Sequence, residues 1–138
     1  LINAAGVSTS TVVVHEKGRF QWQPVAADQA RAGLQTLLRH WQSGLRRPLP
    51  VATATAMAYL AASRRGDHDK AVQAARATFE DGYFSSGEVS REAAVARWYP
   101  DFDSLITSGA PGDDFVHWAR ALYGPAIEHH EEGQGAAA

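Results

Sequence analysis

Gly44-Leu45-Arg46-Arg47-Pro48-Leu49-Pro50-Val51 joins two helical patterns and sets how they meet. The pattern before it predicts an amphipathic helix ending near Ser43. The pattern after it predicts an Ala-rich helix opening near Thr53. Each proline fixes its own φ and pushes the residue before it out of the helical region. Two prolines around Leu49 therefore predict a short extended segment, and Gly44 suits a left-handed stop to the first helix.

Working outward, Ala30, Leu34, Leu37, Leu38, Trp41 and Leu45 make one helical stripe, predicted to face inward, with Asp28 complementing the helix start. Upstream, Leu1–Ser10 reads as a loose lead-in and Thr11–His15 as a strand. Glu16-Lys17-Gly18 reads as a turn, and Arg19–Val25 as a return strand with Phe20 and Trp22 on one side. An isolated hairpin is marginal in water, so this pair must pack on helices or extend a sheet made elsewhere.

Downstream, Thr53–Arg64 is a helix whose alanines allow a close neighbour, and Gly66 ends it. Asp67 reads as the N-cap of a helix over Lys70–Glu80 that buries Ala71, Val72, Ala75 and Phe79. Ser90 opens a helix to about Trp98, and Pro100 breaks it. Asp101–Thr107 is a short helical piece with Phe102, Leu105 and Ile106 inward. After a Gly/Pro turn at Ser108–Asp113, a last helix starts at Asp113 or Asp114 with Phe115, Trp118, Ala119 and Leu122 inward. Gly124-Pro125 then kinks or restarts it, and Gly133–Ala138 reads as a disordered tail. The fold class is thus mainly helical α+β: an N-terminal β-hairpin and five or six packed helices, in one domain over residues 11–132.

With 45% hydrophobic and 20% charged residues the composition is that of a globular protein. No cysteine is present, which excludes disulfides and thiolate metal sites. No apolar run reaches the ~20 residues that span a bilayer, so no membrane role is expected. The chain starts at Leu1 and holds one methionine, Met57, so it reads as a piece of something longer. The net charge of -2 hides a division: residues 31–70 carry seven basic groups against two acidic, and residues 71–138 four against eleven. Such asymmetry either marks a surface for a charged partner or lets the two halves attract each other. A protein built only to grip nucleic acid would be more basic overall.

Candidate chemistry is thin. Glu128-His129-His130-Glu131-Glu132 has metal-ligand residue types, but neighbouring helical positions point ~100° apart, so the two histidines cannot share an ion. Asp101, Asp103, Asp113 and Asp114 either gather a divalent cation or cap helix starts, and capping already accounts for them. A nuclease of the restriction-enzyme type needs an acid entering one strand and, on the next, a Glu or Gln separated from a Lys by one residue. His15-Glu16-Lys17 has the wrong spacing for that. No catalytic or metal-ligating residue is therefore assigned. Trp22, Trp41, Trp98 and Trp118 fall on predicted inward faces. Arg46 and Arg47 are candidate contacts for a partner or for phosphates. Tyr83 and Phe84, in a Gly/Ser loop without a stripe of its own, either make an outward aromatic contact or plug the bundle.

Several stretches in order resemble the C-terminal end of the exodeoxyribonuclease V gamma subunit, the RecC family. They are Ala30-Arg31-Ala32-x-Leu34, Leu37-Leu38, Gly44 to Pro50, Ala56-Met57-Ala58-Tyr59-Leu60, Lys70-Ala71 to Phe79, Gly87-Glu88, Tyr99-Pro100-Asp101-Phe102 and Asp114-Phe115 through Pro125. The resemblance implies the helix-rich end of an inactivated nuclease-like domain of the PD-(D/E)xK type. It implies a non-catalytic scaffold in a cytoplasmic helicase–nuclease that repairs double-strand breaks by recombination. Partners would be RecB-like and RecD-like subunits and DNA, and this piece would hold no cofactor of its own, the parent complex using ATP and Mg. The residues alone leave two other readings: a small metal-dependent hydrolase built on the acidic and His-rich last third, or a free-standing nucleic-acid-binding helical domain.

Overall fold

Gly44 does not stop the first long helix. In the computed structural model, which describes residues 1–15 and 18–134, helix α1 runs Ala27–Arg46 with Gly44 inside it. The described glycines with positive φ are Gly6, Gly66, Gly109 and Gly112. The stop comes from Pro48, which lacks the N–H that would bond the Gly44 carbonyl and drives Arg47 out of helical geometry. A glycine in a helix costs only about 1 kcal/mol, too little to end it alone. The proline segment behaves as expected, with Pro50 buried and Tyr99 Oη donating to the Pro48 carbonyl at 3.4 Å.

The backbone contacts cluster in two compact units, Leu1–Arg46 with Ala126–Ala138, and Arg47–Pro125. The domain bounds read from the sequence remain an expectation beside that division. In the first unit a 3-10 turn at Asn3–Ala5 precedes strands β1 (Thr11–His15) and β2 (Gly18–Trp22). They pair antiparallel from Thr11↔Trp22 to His15↔Gly18. Glu16 and Lys17 of the expected turn, and the Phe20 side chain, lie outside what is described. The lead-in is fastened rather than loose: Thr9 N–H donates to Asn3 Oδ1 at 2.9 Å, and Arg31 Nε donates to the Ala4 carbonyl at 2.8 Å.

The inward placing of the α1 stripe needs correction. Leu34 is half-buried, but Leu37, Leu38, Trp41 and Leu45 are each more than half exposed. A two-stranded hairpin and a 3-10 turn offer too little apolar surface to cover a 20-residue helix.

The second unit holds every fully buried hydrophobic residue among those described, from Ala52 to Ala119. Helices α2 (Thr53–Ser63) and α3 (His68–Phe79) pack through Ala56, Ala71 and Ala75, all 0% exposed. Gly66, at φ 77, turns the chain between them. Asp67 caps α3, accepting from Lys70 N–H at 3.0 Å, as its position predicts. Helices α4 (Glu88–Arg91), α5 (Ala93–Trp98), α6 (Phe102–Ile106) and α7 (Phe115–Gln134) follow. An aromatic chain forms the centre: Tyr59 on Phe115 at 5.6 Å, Phe115 on Phe102 at 6.3 Å, Phe102 on Phe79 at 6.1 Å. The two edge-on contacts, Tyr59 on Phe115 and Phe115 on Phe102, contribute about 0.5–1.5 kcal/mol each beyond burial.

The described fold is mainly helical with one small antiparallel sheet, and it has seven α-helices rather than five or six. The expected fourth helix breaks at Glu92 (φ -117, ψ 88) into α4 and α5. Ser90 lies inside α4, its hydroxyl donating to Asp81 at 2.6 Å. Trp98, expected inside, is exposed at the end of a six-residue helix, whereas Trp118 is buried and Trp22 half-buried. Helix α7 passes through Pro125 and includes Gly133 and Gln134, so the helical backbone reaches further than the expected tail allowed. Residues 135–138 lie outside the description.

One carboxylate completes α2. Its N-cap, Ala52, has no side-chain acceptor. Glu88 supplies one from α4: Oε1 accepts Ala54 N–H at 2.9 Å, and Oε2 accepts Thr55 N–H and Thr55 Oγ1–H, both at 2.7 Å. The carboxylate is 5% exposed, and burial is tolerated because amides and the helix dipole replace its water. Gly87 is what lets it arrive. A Cβ there would stand 2.3 Å from the Phe79 carbonyl oxygen and 2.4 Å from Glu80 backbone atoms. Urea denaturation of the whole chain should show Glu88→Ala costing roughly 3 kcal/mol, since buried amides lose a charged acceptor. Gly87→Ala should also destabilise, by about 1–3 kcal/mol; unchanged midpoints for both would remove the clamp from the account.

Candidate partner-contact site

Tyr83 and Phe84 sit on a loop that is built, not slack. Helix α3 ends with Phe79 in the core, and Glu80 N–H returns to the Arg76 carbonyl at 2.9 Å. Asp81 then braces both sides of the return: Oδ1 accepts Gly87 N–H at 2.7 Å and Oδ2 accepts the Ser90 hydroxyl. Gly82 N–H donates to the Ser85 carbonyl at 2.9 Å, pinching the loop around the two aromatics. Tyr83 and Phe84 meet edge to face at 4.5 Å and are 92% and 95% exposed. The two rings therefore face outward and do not plug the bundle.

Its surroundings are acidic. The Ser90 hydroxyl, followed by Gly87 N–H, holds the Asp81 carboxyl below the usual carboxylate range. Glu80 pairs with Arg76 at 3.0 Å. Arg76 also binds Asp103 and stacks 4.7 Å from the Phe102 ring centre. That pairing raises the Arg76 guanidinium and lowers Asp103.

Arg46 closes α1 and is exposed, while Arg47 opens the second unit and is occupied. Its Nη2 contacts both carboxylate oxygens of Asp113, and Trp118 Nε1 donates to Asp113 Oδ1 at 2.9 Å. The guanidinium also lies 6.0 Å from the Trp118 ring centre. The Arg47 contact, helped by Trp118, holds the Asp113 carboxyl below its ordinary range. So Arg47 ties the proline segment to the start of α7, and any outside contact must share it with Asp113.

The four aspartates weighed as a cation cluster are each employed locally. Asp101 forms a capping box with Ser104 on α6, accepting Ser104 N–H at 2.7 Å. Asp103 holds Arg76, Asp113 holds Arg47, and Asp114 Oδ1 accepts His117 N–H at 2.8 Å. Among the described residues no group of three or more His, Asp or Glu is placed to hold a metal ion. The Glu128–Glu132 side chains lie outside the description. A hollow of about 520 Å³ beside Asp114, His117 and Arg120 is open to solvent, and its carboxylate is already spent on the helix start. No described helix is long and apolar enough to cross a membrane.

What the sequence reading missed is the exposed face of α1, since its stripe was assigned to a core. The signal was there in the imbalance between that long stripe and the few apolar residues upstream of it.

These features define a class: a mainly helical protein with one small antiparallel sheet. The family model of the RecC C-terminal domain matches residues 1–64, just under half of the chain, and that stretch is similar to the RecC family. The match takes in the lead-in, the hairpin, α1, the proline segment and α2. The later stretches that carry the resemblance, from Lys70 onward, lie beyond it. No curated protein matches the chain.

The Arg47–Asp113 pair carries a pH signature. A carboxyl lowered by folding stabilises the native state above its unfolded pKa, about 3.9, and that contribution is lost as pH falls through the lower folded value. Asp113→Asn should therefore be less stable than the parent near neutrality, with the gap closing in acid. Urea midpoints at several pH values check this; a gap that is constant down to the acid limit would contradict it.

Proposed function

We propose that this chain is the non-catalytic C-terminal domain of a RecC-like subunit of exodeoxyribonuclease V, a helicase–nuclease of double-strand-break repair and recombination. The observation that carries the reading is the family match over residues 1–64. On this reading the chain comes from the helix-rich end of an inactivated nuclease-like domain, in the cytoplasm. It acts as a scaffold for RecB-like and RecD-like subunits and for DNA in the assembled complex. The ATP and Mg of the parent complex serve those partners.

The braced aromatic tip supports a contact role, because two rigid rings offer large apolar area at little ordering cost. Glu80 and Asp81 beside it favour a protein surface over DNA phosphate for Tyr83 and Phe84. Arg46 is the better of the two arginines for a partner or the DNA backbone, since Arg47 is engaged with Asp113.

The test is co-purification with RecB-like and RecD-like subunits. Tyr83→Ala with Phe84→Ala should lower the yield of assembled complex roughly tenfold or more, as loss of an aromatic anchor does. Arg46→Glu should lower assembly or DNA unwinding without changing the stability of the isolated chain. Undiminished complex and unwinding in both variants would remove these residues, and failure of the parent chain to join the complex would remove the reading.

A further inference from the structure

The Tyr83–Phe84 tip carries a charge pattern that says what kind of surface can receive it. Gly82 N–H donates to the Ser85 carbonyl at 2.9 Å, so the two rings occupy the corner of a tight turn. They meet edge to face at 4.5 Å and are 92% and 95% exposed, so the chain itself covers almost none of either. Covering both would remove about 300–500 Å² from water. A stable interface takes about 800 Å² from each side, so the rings can be its anchor but not its whole.

The groups around the rings are mostly acidic. Over residues 76–92, Glu80, Asp81, Glu88 and Glu92 stand against Arg76 and Arg91. Arg76 is shared between Glu80 and Asp103, and Arg91 turns its Nε to the Gly87 carbonyl at 3.2 Å. Glu88 is buried at the start of α2. Asp81, at the foot of the turn, is exposed, and its partners Gly87 N–H and the Ser90 hydroxyl are both neutral. Two hydrogen bonds thus fix an uncancelled negative charge beside the rings.

That charge sorts the candidate occupants. A second copy meeting the loop tip to tip would set Asp81 against Asp81. A phosphate backbone or an anionic lipid surface would meet the same repulsion. A protein surface with cations beside an apolar recess gains from both the rings and the carboxylates. We propose that Tyr83 and Phe84 enter an apolar socket of a partner protein whose rim carries Lys or Arg opposite Asp81 and Glu80. This deepens the contact role proposed above, and it rests on the assembly reading only in requiring a protein partner.

The experiment places a photo-reactive benzoylphenylalanine at Phe84 of the full chain. Crosslinking is run in an extract of its own cells at several salt concentrations, and the captured peptide is sequenced. The expected peptide is apolar and carries Lys or Arg. Asp81→Asn with Glu80→Gln should cut the crosslink roughly fivefold at low salt, and added salt should close the gap. Ser90→Ala removes one brace and keeps the carboxylate, so it should leave the salt dependence of the parent. Glu at the peptide's Lys or Arg positions should weaken the parent's crosslink and have much less effect on the Asp81→Asn, Glu80→Gln variant. A crosslink to a second copy, to nucleic acid, to lipid or to a peptide without Lys or Arg would overturn the proposal. So would no crosslink, no loss in the charge variant, or a loss equal at every salt concentration. If the chain fails to join RecB-like and RecD-like subunits yet crosslinks a cation-rimmed socket elsewhere, the assembly reading falls and this proposal stands. If it joins them with the tip free of any crosslink, the reverse holds.

Discussion

Helix α2 begins without a cap of its own, and the Glu88 carboxylate, 33 residues further on, completes it. That contact decides more than one helix end. It pins α4 to α2, and with Gly87 lying against the Phe79 carbonyl it fixes where the chain returns after α3. The loop between, braced by Asp81, inherits its shape from this closure. Tyr83 and Phe84 can stand in water as a defined edge-to-face pair because both ends of their loop are tied to the core. A buried carboxylate that completes a helix start is costly to disturb, since both partners are then left without water or hydrogen bonds.

The two units differ in how their apolar residues are spent. The second places Tyr59, Phe79, Phe102 and Phe115 at 0–1% exposure. The first has a 20-residue amphipathic helix, a hairpin and no fully buried hydrophobic residue among those described. The RecC family match runs across both, from Leu1 to Arg64. The best-identified stretch of the chain therefore includes the part that satisfies itself least. Such a surface suits a component of a larger assembly.

Much of the helical order was legible in the sequence. Asp67 as a cap, Gly66 as a turn and Ala71, Ala75 and Phe79 as an inward face all follow from local chemistry, and the structure agrees. Local rules failed where a distant partner decides. Gly44 looks like a stop, but the proline four residues later ends the helix. Ser90 looks like a cap, but its hydroxyl answers Asp81 and the helix around it breaks at Glu92. Glu88 carries no local signal at all, because its partners belong to a helix more than thirty residues away. The α1 stripe was correctly read as a stripe and wrongly assigned to the interior, since periodicity reports amphipathicity and not what covers it. Of the candidate contacts, exposure of Tyr83 and Phe84 could be argued from their lack of a stripe. The engagement of Arg47 with Asp113 could not, since 66 residues separate them.

Amide hydrogen exchange on the isolated chain and on the assembled complex tests the central claim most directly, which is that the apolar face of α1 is left to water in the chain by itself. A helix whose apolar face meets water is marginal alone and opens readily. In the isolated chain, amides of Leu37–Arg46 should exchange much faster than those of Thr55–Leu60 and Ala71–Phe79, and assembly should slow them to the rate of that core. Equal protection of α1 and α3 in the isolated chain, unchanged on assembly, would contradict the account.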